Sequence, residues 1–377
     1  PQHLALPRGC LDDVRGLLSD LKIKAEVRDE RFLGEPLDTT FRGELRPDQK
    51  AAAEKMMEHD TGVLAATTAF GKTVVAAWLI AQRGVNALVL VHRRQLLEQW
   101  IERLSTFLDL PETQIGRIGG GKKKPTGRLD VALIQSLVRK GVVNDYVGDY
   151  GHLIVDECHH LSASSFELVA RRAKAKYVIG LSATVTRKDG HHPIIFMQCG
   201  KVRFRVDARQ QANQRPFNHR VILRRTKYNL PPEMNIERPP VQKIYTDLGC
   251  DDARNDMIFD DVLKALENRR SPIILTERKD HALLLAERIS HFARNVIVLH
   301  GGMGVKKRQA LTKQLEEIDD KDERVLIATG RYIGEGFDDA RLDTLFLTMP
   351  ISWRGTLAQY AGRLHRLHPG KQEVIIY

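Results

Sequence analysis

The sequence predicts an α/β protein with two parallel-sheet domains in tandem and a small N-terminal α+β appendage. From about residue 61, short β-branched runs alternate with helical stretches, the pattern of a parallel sheet with helices on its faces. The same alternation restarts after residue 255, once a proline-containing stretch has interrupted it. We therefore expect two separate sheets.

The composition of the 377-residue chain is that of a folded, soluble protein. Hydrophobic residues make up 42% and charged residues 28%, which excludes a disordered, collagen-like or coiled-coil chain. No run approaches the roughly 18–20 apolar residues of a membrane span, and the first residues lack the layout of a secretion signal. We expect an intracellular protein, cytoplasmic or nucleoid-associated, or nuclear in a eukaryote, with no membrane partner.

The chain is strongly basic. Lys and Arg number 59 against 48 Asp and Glu, a formal net charge of +11. Such an excess supplies phosphate contacts and favours a polyanionic partner, although a solvated basic surface has the same composition. The cysteines Cys10, Cys158, Cys199 and Cys250 are far apart, without the spacing of a zinc site, so we expect reduced thiols.

The first half of the chain contains the appendage and the first domain. The appendage covers residues 1–44, with a helix predicted at 11–21 and a strand at 23–27. The first domain covers 45–205, and apolar β-branched runs predict its buried strands. These runs lie at 63–65, 87–91, 131–134, 153–155 and 178–181.

A basic connection at 206–255 contains prolines that interrupt helices and central strands. The second domain covers 256–377, with strands predicted at 273–275, 296–299, 325–328, 345–347 and 374–376. The chain stops on the last of these apolar runs. We expect a fragment of a longer protein, with the second domain truncated at its C-terminal end and its last strand exposed.

A phosphate-binding loop is predicted directly after the first strand. The segment ATTAFGKT at residues 66–73 separates this strand from an apolar helix. Backbone amides at the helix N-terminus would face phosphates, Lys72 would reach the β and γ oxygens, and Thr73 would ligate magnesium. Ala66 stands where the usual pattern has glycine, a difference of one methyl group. The competing interpretation is an ordinary turn with a surface lysine.

Two adjacent carboxylates follow a later strand of the same domain. Asp156 and Glu157 come directly after the run at 153–155. An aspartate there can hold magnesium, and the adjacent glutamate can orient and deprotonate an attacking water. In-line phosphoryl transfer needs both groups, so this pair strengthens the interpretation of the loop.

Together these motifs resemble those of a superfamily 2 helicase of the DEAH/DExH type. The matching segments, in order, are LRPDQ at 45–49, the loop at 66–73, DECH at 156–159, SAT at 182–184, ATG with GEGFD at 328–338, and QYAGRLHR at 359–366. The resemblance implies two RecA-like domains, ATP and Mg²⁺ as cofactors, and ATPase activity stimulated by nucleic acid.

The resemblance also implies roles for individual residues. Gln49 and Arg46 would contact adenine, and Arg363 and Arg366 would reach the γ-phosphate from the second domain. Ser182 and Thr184 would couple hydrolysis to domain movement. The other nucleotide-binding positions that it implies are Thr68, Phe70, Gly71, Gly336, Asp338 and Gln359.

Candidates for nucleic-acid contact follow strands in both domains. Backbone amides, hydroxyls and basic side chains there can bind phosphates without reading bases. The competing interpretations are a solvated loop for the lysine run at 122–124 and a structural role for His92. The candidates are His92, Arg93, Gly120, Lys122, Gln135 and Ser136, then Arg278, Gly301 and Thr329.

Two short features are similar to XPB-like helicases and to the helicase part of TOTE-type conflict-system proteins. They are TRKDG at 186–190, and LPRG at 6–9 with RDER at 28–31. The resemblance implies an N-terminal module that engages DNA, and the alternative is a packing cap on the first domain.

We expect an ATP-dependent helicase or translocase that acts on DNA rather than RNA, with the 3′-to-5′ polarity that the resemblance implies. One alternative is a restriction-type motor that translocates on duplex DNA without separating strands. Others are an ATP-gated nucleic-acid clamp with negligible turnover and an ATPase that acts on proteins or small molecules. Nuclease, primase or other domains would lie on missing parts of the chain or on a partner.

Overall fold

The two series of predicted strands form two separate sheets. In this computed structural model the first sheet has eight strands and the second has six, counted over the described residues. The chain divides into two units, Pro1–Gln210 and Gln211–Tyr377, each containing one of these two sheets, and the predicted α/β class is confirmed. The structure describes residues 3–67, 70–158, 163–183, 193–206, 215–230, 240–330, 339–351 and 354–377.

The first sheet is parallel except at one edge. Its spatial order is β10-β1-β9-β8-β2-β5-β3-β4, and only β3 and β4 pair in antiparallel fashion. β6 and β7 form a small separate hairpin. The strands are β1 (Thr61–Ala65), β2 (Ala87–Val91), β3 (Gly116–Gly119), β4 (Lys122–Lys124), β5 (Leu129–Leu133), β6 (Val138–Arg139), β7 (Val142–Val143), β8 (His152–Val155), β9 (Tyr177–Ser182) and β10 (Val202–Arg205).

Helices cover both faces of this sheet because its central strands are apolar on both sides. On one face Leu64 and Ile154 pack against α2, α3 and α4. On the other face Val63 and Val155 pack against α5, α6 and α7. The helices of the first unit are α1 (Leu11–Asp20), α2 (Pro47–Met57), α3 (Lys72–Arg83), α4 (Arg94–Leu108), α5 (Ile134–Leu137), α6 (Ala163–Arg172) and α7 (Pro193–Cys199).

The lysine run predicted as a loop is a strand. Residues 122–124 form β4 and pair with β3. The turn between them is made by Gly119, Gly120 and Gly121, with φ of 132°, 63° and 88°, values that glycine adopts without a steric penalty. The run therefore lies at an edge of the first sheet.

The strand predicted at 23–27 is wrong. The segment pairs with no strand of the described chain, and Ile23 and Val27 are 52% and 51% exposed. Because these side chains gain no burial, pairing them would bring little stabilisation. The appendage instead contains α1 and two isolated bridges, from Phe32 to Ala175 and from Pro36 to Val85.

A short 3₁₀ turn at Arg8–Cys10 attaches the appendage to the first unit. The Arg8 guanidinium donates hydrogen bonds to the carbonyls of Ala170 (2.9 Å) and Ala175 (3.0 Å), and also to that of Ala173. These carbonyls lie at and beyond the C-terminal end of α6, where a cation is favoured. An ion pair from Asp12 to Arg203 (2.5 Å) adds a second connection.

The second sheet is parallel throughout, in the order β11-β16-β15-β12-β14-β13. α11 and α12 pack on one face, and α9 and α10 pack on the other. The elements of this unit are β11 (Asn218–Val221), α8 (Val241–Cys250), α9 (Asp252–Glu267), β12 (Pro272–Thr276), α10 (Lys279–Ser290), β13 (Val296–Leu299), α11 (Val305–Glu317), β14 (Val325–Thr329), β15 (Thr344–Leu347), α12 (Arg354–Leu364) and β16 (Glu373–Ile376).

The expectation of an exposed last strand is wrong. β11 pairs in parallel with β16, and Val374 and Ile375 are 1% and 3% exposed. β11 and the buried Phe217 lie inside the range predicted as a connection. The boundary between the units also lies in that range, at Gln210, so the part around β11 belongs to the second sheet.

Two further findings concern membrane-spanning helices and the cysteines. In the part of the chain that the structure describes, no helix is both long and apolar enough to cross a membrane. All four cysteines are free thiols, as predicted.

We predict that Gly9→Ala destabilises the first unit. A Cβ at position 9 would lie 2.0 Å from the carbonyl oxygen of Phe196 in the middle of α7, so the turn would have to move. We expect the free energy of unfolding to fall by about 1–3 kcal/mol, measured by urea denaturation. The control is Gly16→Ala in α1, where a Cβ meets nothing within 4 Å. Equal stability of the two variants would contradict the tight contact at Gly9.

Candidate active site

The predicted phosphate loop, SAT segment and acidic pair meet at one edge of the first sheet. β9 lies between β1 and β8, and all three strands are parallel. Their carboxyl ends therefore share an edge, which is where ligands bind in open parallel sheets. The amide of Ala66 donates to the carbonyl of Ser182 (2.9 Å), which joins the beginning of the loop to the end of β9.

The loop ends in a helix N-terminus suited to anions. Gly71 has φ of 89°, and α3 begins at Lys72 without a side-chain cap. Uncapped first-turn amides and the helix dipole favour a bound phosphate. Thr73 lies in this first turn and is half-buried, so the predicted magnesium ligand stands at the same helix end.

The side chains of Arg46 and Gln49 hydrogen-bond to the backbone of the loop. The carbonyl of Phe70 accepts hydrogen bonds from Arg46 Nη2 (2.7 Å) and Gln49 Nε2 (2.8 Å). Gln49 is buried, and its Oε1 accepts from the amide of Arg46 (3.1 Å). A Cβ on Gly71 would lie 2.4 Å from Gln49 Nε2, so this position has room only for glycine. In this structure the two residues predicted to contact adenine hold the loop.

Lys72 connects the loop to the acidic pair. It is only 7% exposed, donates a hydrogen bond to the carbonyl of Ala66 (3.1 Å), and its Nζ lies 3.5 Å from Glu157 Oε1. Glu157 adopts φ of 44° and its Oε2 accepts from the amide of Ala183 (3.4 Å). A non-glycine residue with positive φ is uncommon, and it indicates a backbone conformation that the surrounding structure stabilises.

Asp156 is buried and held in one orientation. Its Oδ2 accepts from Trp100 Nε1 (2.7 Å) and its Oδ1 accepts from the amide of Glu157 (2.9 Å). Burial, followed by the negative charge of Glu157, raises the pKa of Asp156 to about 6, while the indole donor and Lys72 favour the ionised form. Sequence reasoning missed Trp100 because it lies within the apolar stripe of α4.

These residues fit a magnesium nucleotide. The uncapped end of α3 and the buried Lys72 ammonium suit the phosphates, and the Thr73 hydroxyl and Asp156 carboxylate are the oxygen ligands that Mg²⁺ prefers. All of them lie in the first unit. The groups needed to bind a nucleotide and orient a water are therefore present on one surface.

In the second unit, the ATG and QYAGRLHR motifs and Glu277, the neighbour of the candidate Arg278, meet at Gly330. A Cβ at this position would lie 2.3 Å from the Tyr360 hydroxyl and 2.5 Å from Glu277 Oε1. Gly330 follows β14, Glu277 follows β12, and Tyr360 lies on α12 one turn before Arg363, which is 8% exposed. The close approach joins the two strand ends to the arginine-bearing helix.

The structure brings several predicted nucleic-acid contacts together in pairs. Gln135 Nε2 donates to the carbonyl of His92 (3.0 Å) in the first unit. The amide of Gly301 donates to Thr329 Oγ1 (3.3 Å) in the second. Arg93 and Arg278 are each the N-cap of a helix, α4 and α10. Ser136 and Gly120 are exposed.

Some predicted site residues lie outside this description. Thr68, Thr184, Gly336 and Asp338 fall outside the described residues, as do the side chains of Lys122 and Gln359. Arg363 and Arg366 lie in the second unit, and Lys72, Asp156 and Glu157 lie in the first.

Comparison with known proteins supports the interpretation of both units. A family described as type III restriction enzyme, res subunit, matches residues 42–187, and the helicase conserved C-terminal domain matches residues 256–368. These two matches cover the nucleotide edge of the first unit and the motifs of the second. The chain is similar to helicases of superfamily 2. The predicted resemblance is thereby confirmed.

Several relatives of this chain are named as helicases. A putative ATP-dependent RNA helicase of Acanthamoeba polyphaga mimivirus is 25% identical over 359 residues, which are 90% of this chain and 64% of the relative. A putative DNA 3′-5′ helicase Rad25 of Halobacterium salinarum is 34% identical over 183 residues, or 46% of this chain and 29% of the relative. The chain thus spans less than two thirds of either relative.

A solved structure shows the same fold. Saccharomyces cerevisiae Dbp5, bound to RNA and ADP BeF3, matches with a TM-score of 0.59 at 16% identity, covering 88% of this chain and 82% of that protein. The predicted architecture of two RecA-like domains is therefore confirmed.

We predict that Trp100→Phe destabilises the site of this protein. The substitution keeps a buried aromatic ring and removes the indole N–H that donates to Asp156. The buried carboxylate then has one hydrogen bond fewer. We expect the free energy of unfolding to fall by about 1–3 kcal/mol, measured by urea denaturation. Trp78→Phe, in the partly buried Trp78 on α3, is the matched control. If both variants lose the same free energy of unfolding, the hydrogen bond from the Trp100 indole does not stabilise Asp156.

Proposed function

We propose that this chain is an ATP-driven motor that acts on DNA, translocating in the 3′-to-5′ direction and separating strands. The observation that carries the proposal is the convergence of Lys72, Asp156 and Glu157 at the shared edge of β1, β9 and β8. This edge has the parts that phosphoryl transfer requires, a phosphate-binding helix end, a metal-binding carboxylate and a base.

Lys72 and Glu157 change partners in this proposal. Lys72 now contacts Ala66 and Glu157, and with nucleotide present it would turn to the phosphate oxygens. Glu157 would then be available to orient and deprotonate the attacking water. Thr73 and Asp156 would hold Mg²⁺, which neutralises charge that develops on the phosphates. The ion pair of this structure is therefore a resting arrangement.

Arg363 and Arg366 would complete the site from the second unit. Arginines that reach the transferred phosphate stabilise its charge, and they can do so only when the two units come together. Ser182 and Thr184 would transmit this movement. The bond from the Ala183 amide to Glu157 supports that role, because it joins the SAT segment directly to the proposed base.

Nucleic acid would bind along loops of both units. The formal net charge of +11 supports a polyanionic partner. The predicted contacts lie mostly on backbone amides, hydroxyls and basic side chains, which bind phosphates without reading sequence. The relative named as a DNA 3′-5′ helicase has the higher identity of the two described above, and this favours DNA and the stated polarity.

A restriction-type duplex translocase is the second candidate. The family that matches residues 42–187 is described as type III restriction enzyme, res subunit, which supports a restriction-type motor. Such a motor would hydrolyse ATP on duplex DNA without displacing a strand, so a strand-displacement assay separates the two candidates.

We predict that ATP hydrolysis is stimulated by DNA and depends on Glu157. Steady-state hydrolysis is measured without nucleic acid and with single-stranded DNA, duplex DNA or RNA. Glu157→Gln keeps the shape of the side chain and removes the base, so we expect a loss of at least about 100-fold. Glu102→Gln, at an exposed position of α4, is the matched control and should retain the stimulated rate.

Equal rates of ATP hydrolysis with and without each nucleic acid would contradict the proposal of a nucleic-acid motor. Binding of DNA with negligible turnover would instead indicate the ATP-gated clamp. Stronger stimulation by RNA than by DNA would replace the proposed substrate and leave the site intact.

A further inference from the structure

Lys371 is a buried cation whose three donors are all used. It lies just before β16 and is 7% exposed. Its Nζ donates hydrogen bonds to the carbonyls of Ala340 (2.7 Å), Leu364 (2.9 Å) and Arg366 (2.8 Å). An ammonium group has three N–H donors and no acceptor, so acceptors and donors match in number.

Two of these carbonyls lie at and just beyond the end of the arginine-bearing helix α12. α12 ends at Leu364, and the last carbonyls of a helix have no partner within the helix. A cation at this end is favoured by the helix dipole. Lys371 binds the carbonyl of Leu364, the neighbour of Arg363, and the carbonyl of Arg366 itself. It therefore sets how the chain leaves the helix between the two arginines.

The third carbonyl belongs to a separately anchored segment. Asp339 forms a buried ion pair with Arg324 (2.8 Å) and accepts from the amide of Arg341 (3.1 Å). Ala340 lies between these two residues. The segment that follows the GEGFD motif is thus fixed to β14, where Arg324 precedes the strand. Lys371 joins this fixed segment to the end of α12.

We propose that Lys371 is a positioning residue for ATP hydrolysis, which holds Arg366 and the end of α12 in place against the segment at Ala340. The proposal rests on the function proposed above, in which Arg363 and Arg366 reach the γ-phosphate. Lys371 touches neither nucleotide nor nucleic acid in this role. It acts through the backbone of the residues that do.

The buried charge of Lys371 costs stability, and its hydrogen bonds to three carbonyls account for its presence. Burial lowers the pKa of Lys371 to about 8, so the ammonium is still mostly protonated at neutral pH but holds its proton less strongly than an exposed lysine. A buried apolar side chain of similar length would avoid this cost. Deprotonation would leave two donors and direct a lone pair at a third carbonyl. Only the protonated form satisfies all three carbonyls.

The two histidines near Lys371 are neutral near pH 8. Burial and nearby cations lower the pKa of His365 to about 4, so its ring is neutral in this range. His219, which packs on His365, also has a lowered pKa because of burial. The charged groups that face Lys371 are Asp339, Asp343, Arg215 and Arg366.

The first test compares Lys371→Met, Lys371→Arg and a control in DNA-stimulated hydrolysis. Lys371→Met removes all three donors, and we expect kcat to fall about tenfold or more because the arginines are misplaced. KM for ATP should stay within about twofold, since nucleotide binds mainly to the first unit. Lys371→Arg should retain most of kcat. The control is Lys264→Met, an exposed lysine of α9 on the opposite face of the second sheet.

The second test uses pH and separates positioning from stability. As the pH rises through about 8, the wild-type kcat should decline relative to that of Lys371→Arg, which stays protonated. The unfolded chain keeps the proton on Lys371 up to its ordinary pKa of 10.5. Between these values the unfolded chain binds more protons, so the contribution of Lys371 to the free energy of unfolding rises with pH. Activity and stability should therefore move in opposite directions.

The outcomes are distinguishable. An unchanged kcat in Lys371→Met overturns the proposal. A fall in kcat that parallels a fall in melting temperature, without the pH difference from Lys371→Arg, assigns Lys371 to stability alone and also overturns it. If the wild type hydrolyses no ATP with any polymer, the proposed function fails. Amide hydrogen exchange of residues 360–371 then still decides whether Lys371 holds this segment, with faster exchange expected in Lys371→Met.

Discussion

Parallel pairing of β9 with both β1 and β8 is the constraint on which the site depends. The register places Ala65 beside Ser182 and Val155 beside Gly180. The loop, the SAT segment and the acidic pair therefore leave the sheet next to each other. A slip of one residue would exchange the two faces of a strand and would place an apolar residue such as Val63 among the helices of the other face. The two hydrophobic cores thus hold the site in register.

The site itself is a network of buried charges in which each member depends on another. Lys72 and Asp156 are both only 7% exposed. A buried charge is tolerated when it is paired and hydrogen-bonded, and here the Ala66 carbonyl, Glu157 and the Trp100 indole meet that need. Each of these two charges therefore has a partner within the first unit. Binding would exchange these partners for phosphate and metal, so little new charge has to be buried.

Most of the strands could be predicted because they are continuous apolar runs, and all ten predicted runs of the two sheets are strands. β11 could not be predicted, since its sequence, Asn218–Val221, is polar and exposed and is stabilised by backbone pairing with β16. The segment at 23–27 shows the converse error, because apolar and polar residues alternate there as in a strand, yet it pairs with no strand among the described residues. Edge strands depend on the neighbour available, which local sequence does not show.

The sequence motifs predicted the loop and the acidic pair. They did not predict the residues that support them. Trp100 is indistinguishable in sequence from the apolar residues around it. Lys371 binds three backbone carbonyls, which leave no pattern in side-chain types. Arg46 and Gln49 were predicted from resemblance to contact adenine, and the structure adds their bonds to the Phe70 carbonyl. Contacts to backbone atoms become visible only in the folded chain.

The central claim is that the first unit binds the nucleotide and that hydrolysis requires an arginine from the second. Single-turnover hydrolysis and Mg·ATP affinity of Arg363→Gln, with saturating DNA, test it most directly, with the exposed Arg294→Gln as control. The account predicts near wild-type affinity and a hydrolysis rate lower by about 100-fold or more. A wild-type rate in Arg363→Gln, or a loss of affinity that explains the whole defect, would contradict it.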